Sequence, residues 1–94
     1  MKKYNMAIIR KKLIVKNEQG LHARPAALFV QIANKFDSRI TVKRDDEEVN
    51  GKSIMGILML GAEKDSAIII EAEGSDAQLA ISELEKIITS EQEK

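Results

Sequence analysis

The strand-like segments of this chain are more apolar on one side than on the other. Over residues 68–73, Ile68, Ile70 and Ala72 alternate with Ile69, Glu71 and Glu73. Ile40 and Val42 alternate in the same way with Arg39, Thr41 and Lys43. Successive side chains of a strand point to opposite faces, so each segment has one face to bury and one to leave in water. A sheet made from such strands needs cover on a single side. The 68–73 segment is apolar enough to be central, and Gly74 ends it.

The remaining segments supply the cover. A first strand is expected over about 9–16, where Leu13 and Val15 share a face, followed by the loop Asn17-Glu18-Gln19-Gly20. A helix is expected over about 23–35, with Leu28, Phe29, Ile32, Ala33 and Phe36 as one broad stripe. Pro25 falls in its first turn, where a missing N–H costs nothing. Arg44-Asp45-Asp46-Glu47 turns the second strand back onto a short partner at Glu48-Val49. Lys52-Ser53 opens a short helix that runs to about Leu60 and closes at Gly61. Ser75 with Gln78 three residues on reads as a capping box. Ala77, Ala80, Ile81, Leu84, Ile87 and Ile88 then mark one face of a last helix. The polar tail, 89–94, is expected to fray.

The order is β-α-β-β-α-β-α. Three helices of this length cannot cover two faces, so the expected fold is α+β: one antiparallel sheet with the helices on a single face. The 94 residues make a single domain, 1–94.

Composition narrows the function. Fifteen basic residues balance fifteen acidic ones, and the aromatics are Tyr4, Phe29 and Phe36. Neither a basic patch nor a base-stacking platform is evident, so a nucleic-acid partner is not expected. Without Cys there is no disulfide or thiolate metal site, and one His makes no histidine-rich site, so no metal and no cofactor is expected. The apolar runs are too short for membrane insertion. Arg10-Lys11-Lys12 interrupts any secretory core after Ala7-Ile8-Ile9, and the expected location is cytoplasmic.

Two segments carry chemistry. The first is Gly20-Leu21-His22-Ala23-Arg24-Pro25-Ala26-Ala27, with the chain's only histidine where a helix begins. The leading amides of a helix lack intrahelical partners, and its N-terminus favours anions. Imidazole titrates close to neutrality, so at cell pH it offers a lone pair that can attack phosphorus. Arg24 presents a planar fork of donors for phosphate oxygens. Ala23 leaves room for a partner protein. No acid or base in the motif activates water, which suits holding a phosphoryl group rather than hydrolysing it. The plainer reading is a helix-start histidine beside a solvated arginine, and spacing alone favours it.

The second segment is Asn50-Gly51-Lys52-Ser53-Ile54-Met55-Gly56-Ile57-Leu58-Met59-Leu60-Gly61. Ser53 reads first as an N-cap, worth about 1 kcal/mol. A phosphate there would instead add roughly −1.5 to −2 charge at a helix end. The helix that follows is nearly all apolar, and two turns cannot bury every side chain. Ile57 and Leu60 are the core candidates. Ile54, Met55 and Leu58 are candidates for a docking patch, since methionine suits surfaces that meet several partners.

Together, Gly20-Leu21-His22-Ala23-Arg24-Pro25-Ala26 and Lys52-Ser53-Ile54-Met55-Gly56 closely resemble HPr, the histidine-containing phosphocarrier family of the bacterial phosphoenolpyruvate:sugar phosphotransferase system. The likeness covers about residues 9–88, and the serine motif points to the Gram-positive type. It implies an open-faced β-sandwich with sheet order 1-4-2-3. It implies a phosphocarrier protein, not an enzyme, whose His22 accepts a phosphoryl group at Nδ1 from phosphorylated enzyme I and passes it to the IIA domains of sugar permeases, with Arg24 stabilising the phosphate. It implies that Ser53 is phosphorylated by HPr kinase/phosphorylase, which slows transfer from enzyme I and promotes binding to a catabolite-control repressor. A monomer is expected. Three features depart from the family pattern: residues 1 to about 7 extend beyond the usual start, Gln19 stands where a small hydroxyl residue is common, and Leu58-Met59 replaces Met-Ser.

Two other readings compete. One is a regulatory relative acting through Ser53 alone, although such relatives lack the histidine that stands here at position 22. The other is a small α+β ligand- or RNA-binding domain without phosphoryl chemistry, against which the few aromatics and neutral charge count.

Overall fold

The computed structural model describes residues 8–91. The proposed extension at 1–7 and the last residues of the tail, 92–94, lie outside them. The elements run β1 (Ile8–Ile14), α1 (Ala23–Ala33), β2 (Arg39–Arg44), β3 (Glu47–Asn50), α2 (Ile54–Leu60), β4 (Ala67–Glu73) and α3 (Ala77–Ile88). The strands form one antiparallel sheet in the order β1-β4-β2-β3.

Register puts the alternation to use. Ile68 pairs with Leu13, Ile70 with both Lys11 and Val42, and Ala72 with both Ile9 and Ile40. Val42 pairs in turn with Val49. Directly paired residues share a face, so these positions form the inner side of the sheet. Ile40, Val42, Ile68, Ile70 and Ala72 are buried. Lys11 is the polar member of this row, and its ammonium reaches Glu85 of α3 at 2.7 Å. The opposite face carries Arg10, Thr41, Lys43 and Glu71. There Glu71 accepts from Arg10 Nε at 2.8 Å and lies 3.7 Å from Lys43 Nζ.

The helices cover the inner face. α3 packs on β1 and β4, α2 on β3 and β2, and α1 packs against both other helices. Phe29, Ile57, Leu60, Ile81, Leu84 and Ile88 fill the space between. Each such side chain contributes roughly 1.5–3 kcal/mol on leaving water. The α3 stripe is buried at all six expected positions. The α1 stripe differs. Its buried line runs through Ala26, Phe29 and Ala33, at spacings of three and four, and Leu28 is exposed.

Two details depart from the sequence reading. β1 ends at Ile14 because Val15 and Lys16 bond elsewhere: Val15 N–H to Ser66 O at 2.9 Å and Lys16 N–H to Ile88 O at 2.9 Å. The Ser75–Gln78 capping box does not form. Asp76 holds the N-cap position of α3 and does not use its side chain to cap. Its carboxylate reaches across to the start of β2, accepting from the amides of Asp37 at 2.9 Å and Ser38 at 3.0 Å and from the Ser38 hydroxyl. Three donors across the fold outweigh one on the helix. At the other end, the Thr89 hydroxyl donates to Glu85 O at 2.9 Å, so the polar tail begins tied to the last turn.

Glu71 on the outer sheet face and Asp76 at the start of α3 both titrate below their ordinary range. The hydrogen bond from Arg10 is the main cause for Glu71, helped by the charges of Arg10 and Lys43. For Asp76 the Ser38 hydroxyl and the Asp37 amide are the main causes. The folded chain therefore binds these protons less readily than the unfolded chain. The stability they contribute is present above the unfolded values of 4.5 and 3.8 and is lost as pH falls through the lowered folded values. Thermal melts should hold steady near neutrality and drop from about pH 5 downward, with a shallower drop in Asp76→Asn, which removes one of the two groups.

Candidate phosphoryl-transfer site

The site grows from the turn that delivers the chain into α1. Gly20 N–H bonds to Asn17 O at 3.0 Å, closing the turn. Gly20 itself sits at φ +74°, in the left-handed region. A Cβ there would lie 2.5 Å from Ala62 O and 2.9 Å from the Cα of Glu63, so only glycine fits. Leu21 is buried, and its N–H bonds to Ala62 O at 2.9 Å. Buried Asn17 donates from Nδ2 to Ile87 O at 3.2 Å. The loop before the histidine is thus lashed to the α2–β4 connection and to the last turn of α3. Ion pairs of Lys64 with Glu18 at 3.5 Å and Lys16 with Asp65 at 3.6 Å span the same gap at the surface.

His22 emerges from this anchor as the N-cap residue of α1, extended at φ −83° and ψ −167°, and half-buried. Its carbonyl accepts the first helical bond from Ala26 N–H at 3.0 Å, while its ring makes no capping bond. Pro25 is buried and brings no N–H, so Ala23 and Arg24 supply the leading amides. Both are exposed. No acidic residue lies in the first turn to compete with an incoming anion. Among the described residues the Arg24 guanidinium forms no ion pair. His22, Ala23 and Arg24 therefore stand together at one helix mouth.

Ser53 caps α2, and its hydroxyl accepts from Gly56 N–H at 3.1 Å. Gly61, at φ +64°, closes the helix in the left-handed region. Hydrogen bonds fix how α2 lies against α1. At one end Ala62, just past α2, holds Leu21, just before α1. At the other, Lys52 Nζ donates to Phe36 O at 2.7 Å and Asn34 Nδ2 to Lys52 O at 3.4 Å. The two helices are antiparallel neighbours. Ser53 lies at the end of α2 away from His22, roughly 10 Å along its axis for 7 residues at 1.5 Å each. Sequence spacing could not show this separation.

Ile57 and Leu60 of α2 are buried. Ile54, Met55 and Leu58 are exposed, and so is Met59, at 71% the most exposed large apolar side chain of the helix. At ~100° per residue these four span an arc of roughly 140°, an apolar strip leading from the Ser53 end of α2 toward its Ala62 end. The sequence reading passed over Met59. Its spacing of four from Met55 was the signal that both share a face. A shallow groove of about 270 Å³ lies elsewhere, lined by Arg39, Ile40, Thr41, Glu48, Val49 and Asn50, and none of the candidate site residues lines it.

An accessible imidazole beside unpaired leading amides and an arginine is an arrangement able to take up an anionic group. Residues 9–90 match the family described as "PTS HPr component phosphorylation site". The chain is 45% identical over 84 residues to the HPr-like protein Crh of Halalkalibacterium halodurans, covering 89% of this chain and 100% of that one. It is 41% identical over 87 residues to the phosphocarrier protein HPr of Treponema pallidum, covering 93% and 99%. The solved structure of the phosphocarrier protein HPr from Bacillus anthracis superposes with a TM-score of 0.84 at 46% identity, over 87% of this chain and 98% of that one. The chain belongs to the HPr family of the phosphotransferase system and has its open-faced β-sandwich fold.

The tight contact at Gly20 should be the least tolerant point of the loop. Gly20→Ala is expected to lower the melting midpoint by several degrees, corresponding to about 1–3 kcal/mol, through left-handed strain and the clash with Ala62 O. An unchanged midpoint would show that the loop can shift away.

Proposed function

We propose that this chain, acting as a single carrier domain over 1–94, shuttles a phosphoryl group on His22 between two other proteins. The observation that carries the reading is the chain's only imidazole at the mouth of α1, half-exposed, in a family of phosphocarriers. The neutral ring attacks the phosphorus of phosphorylated enzyme I through Nδ1. The new N–P bond forms as the bond between phosphorus and enzyme I breaks, and that bond's electrons stay on enzyme I. Delivery to a IIA domain repeats the exchange with the carrier as donor. While the group is held, the amides of Ala23 and Arg24 and the Arg24 guanidinium stabilise its charge. The protein is changed and restored by enzymes on either side and is itself a carrier. Ala23, Ile54, Met55 and Leu58 form the face that partners meet. The chain acts in the cytoplasm as a monomer.

Ser53 is the regulatory position in this reading. Phosphorylation by HPr kinase/phosphorylase adds negative charge at the far end of the docking strip. This slows transfer from enzyme I and favours a catabolite-control repressor. A second reading, regulation through Ser53 alone, is raised by the 45% identity to the HPr-like protein Crh, and the presence of His22 counts against it. Solved relatives described as dimers include Crh of Bacillus subtilis and an HPr of Thermoanaerobacter tengcongensis, so light scattering tests the monomer expectation and does not separate the two readings.

Incubation with phosphorylated enzyme I is expected to put an acid-labile, base-stable phosphate on the protein. His22→Ala should abolish it while leaving the melting curve in place. Absence of that phosphate from the unsubstituted chain would favour the Ser53-only reading. Ser53→Asp should lower the rate of transfer from enzyme I by roughly an order of magnitude, by placing like charge on the docking face. Unchanged steady-state kinetics would remove Ser53 from the regulation.

A further inference from the structure

Met55 and Met59 are 61% and 71% exposed. Residues four apart on a helix are neighbours on one face, so the two thioethers lie side by side on the solvent arc of α2. Ile54 and Leu58, at 40% and 36%, extend the same arc, while Ile57 and Leu60 hold the helix to the core. The core therefore needs neither methionine. Leucine would supply similar apolar area. What a thioether adds is a nucleophilic sulfur, and in a chain without cysteine it is the side chain most readily oxidised.

The geometry points to Met55 and Met59 as a paired oxidation site, through which peroxide weakens the carrier's grip on its phosphoryl-transfer partners. The inference rests on the reading of α2 as part of the docking face. A sulfur lone pair attacks one oxygen of hydrogen peroxide. The S–O bond forms, the O–O bond breaks, the sulfur-bound oxygen gives up its proton, and the second oxygen gains one and leaves as water. Sulfur is oxidised by two electrons and peroxide is reduced by two. The product is a sulfoxide, polar and strongly hydrated, along the most exposed edge of an apolar strip. A partner must strip that hydration to dock, so binding suffers and the fold does not. The chemistry at His22, held by the other helix, is left alone. The oxidation is reversible by methionine sulfoxide reductases.

The test treats the full chain with hydrogen peroxide, maps sulfoxides by peptide mass spectrometry, and measures transfer from phosphorylated enzyme I over a range of carrier concentrations. With sulfoxide at both positions, KM for the carrier is expected to rise about tenfold, the size of effect that burying added polar groups produces, with kcat and the melting midpoint close to their starting values. Reductase treatment should return KM. Met55→Leu with Met59→Leu is read as the ratio of treated to untreated KM, which should fall to about one whatever its starting level. An unchanged KM with both sulfoxides in place overturns the inference. So does a double variant that keeps the full ratio, since the sensitive group would then be Met1 or Met6. A chain that accepts no phosphoryl group before treatment overturns the carrier reading itself and takes this inference with it. An oxidation effect failing on an active carrier leaves that reading standing.

Discussion

β4 hydrogen-bonds on both edges, to β1 and to β2, and the rest of the molecule hangs from that double pairing. Its Ile68, Ile70 and Ala72 set the inner face for both neighbours at once, because a strand's register decides which side every partner residue takes. Leu13 and Val42 follow β4 inward, while Arg10, Thr41 and Lys43 follow Glu71 outward. A slip of one residue would turn three buried apolar side chains into water and bring Glu71 into the core. The dry face then dictates where the helices lie, and the helices dictate where their ends fall.

The site is one of those ends. The backbone that precedes His22 is tied down on two sides. Asn17, Gly20 and Leu21 tie to α3 and to the α2–β4 connection, so the mouth of α1 is fixed by two other helices. A carrier needs that arrangement. In the proposed role the ring would meet two different proteins in turn, which asks for an accessible side chain on a well-anchored base. Hydrogen-bonded support from behind and exposure in front supply both.

Distance is the other design element. The antiparallel packing of α1 and α2 sets Ser53 and His22 at opposite ends of α2, with an apolar strip running between. A charge added at Ser53 would not reach the imidazole by contact. It would act on the surface a partner must cover, where approach and fit are decided. In the proposed function, separation of this kind would let a group on Ser53 change docking while the chemistry at His22 stays the same.

Much of this was legible in the order of residues. One-sided alternation gave the sheet its single buried face, and the α3 stripe, Ser53 as a cap and Gly61 as a closer were all local patterns with local causes. The two motifs around His22 and Ser53 were enough to mark the family. What the chain alone did not yield depended on neighbours distant in sequence. Asp76 abandons its helix for Ser38, Leu28 turns outward, and β1 stops early because Ser66 and Ile88 accept its next amides. The meeting of Gly20 with Ala62, and the roughly 10 Å between Ser53 and the end of α2 that holds the histidine loop, likewise belong to the tertiary structure. Periodicity and capping are set within a few residues, so a sequence carries them openly. Which groups compete for a hydrogen bond across the fold is settled only when the packed core brings them within reach.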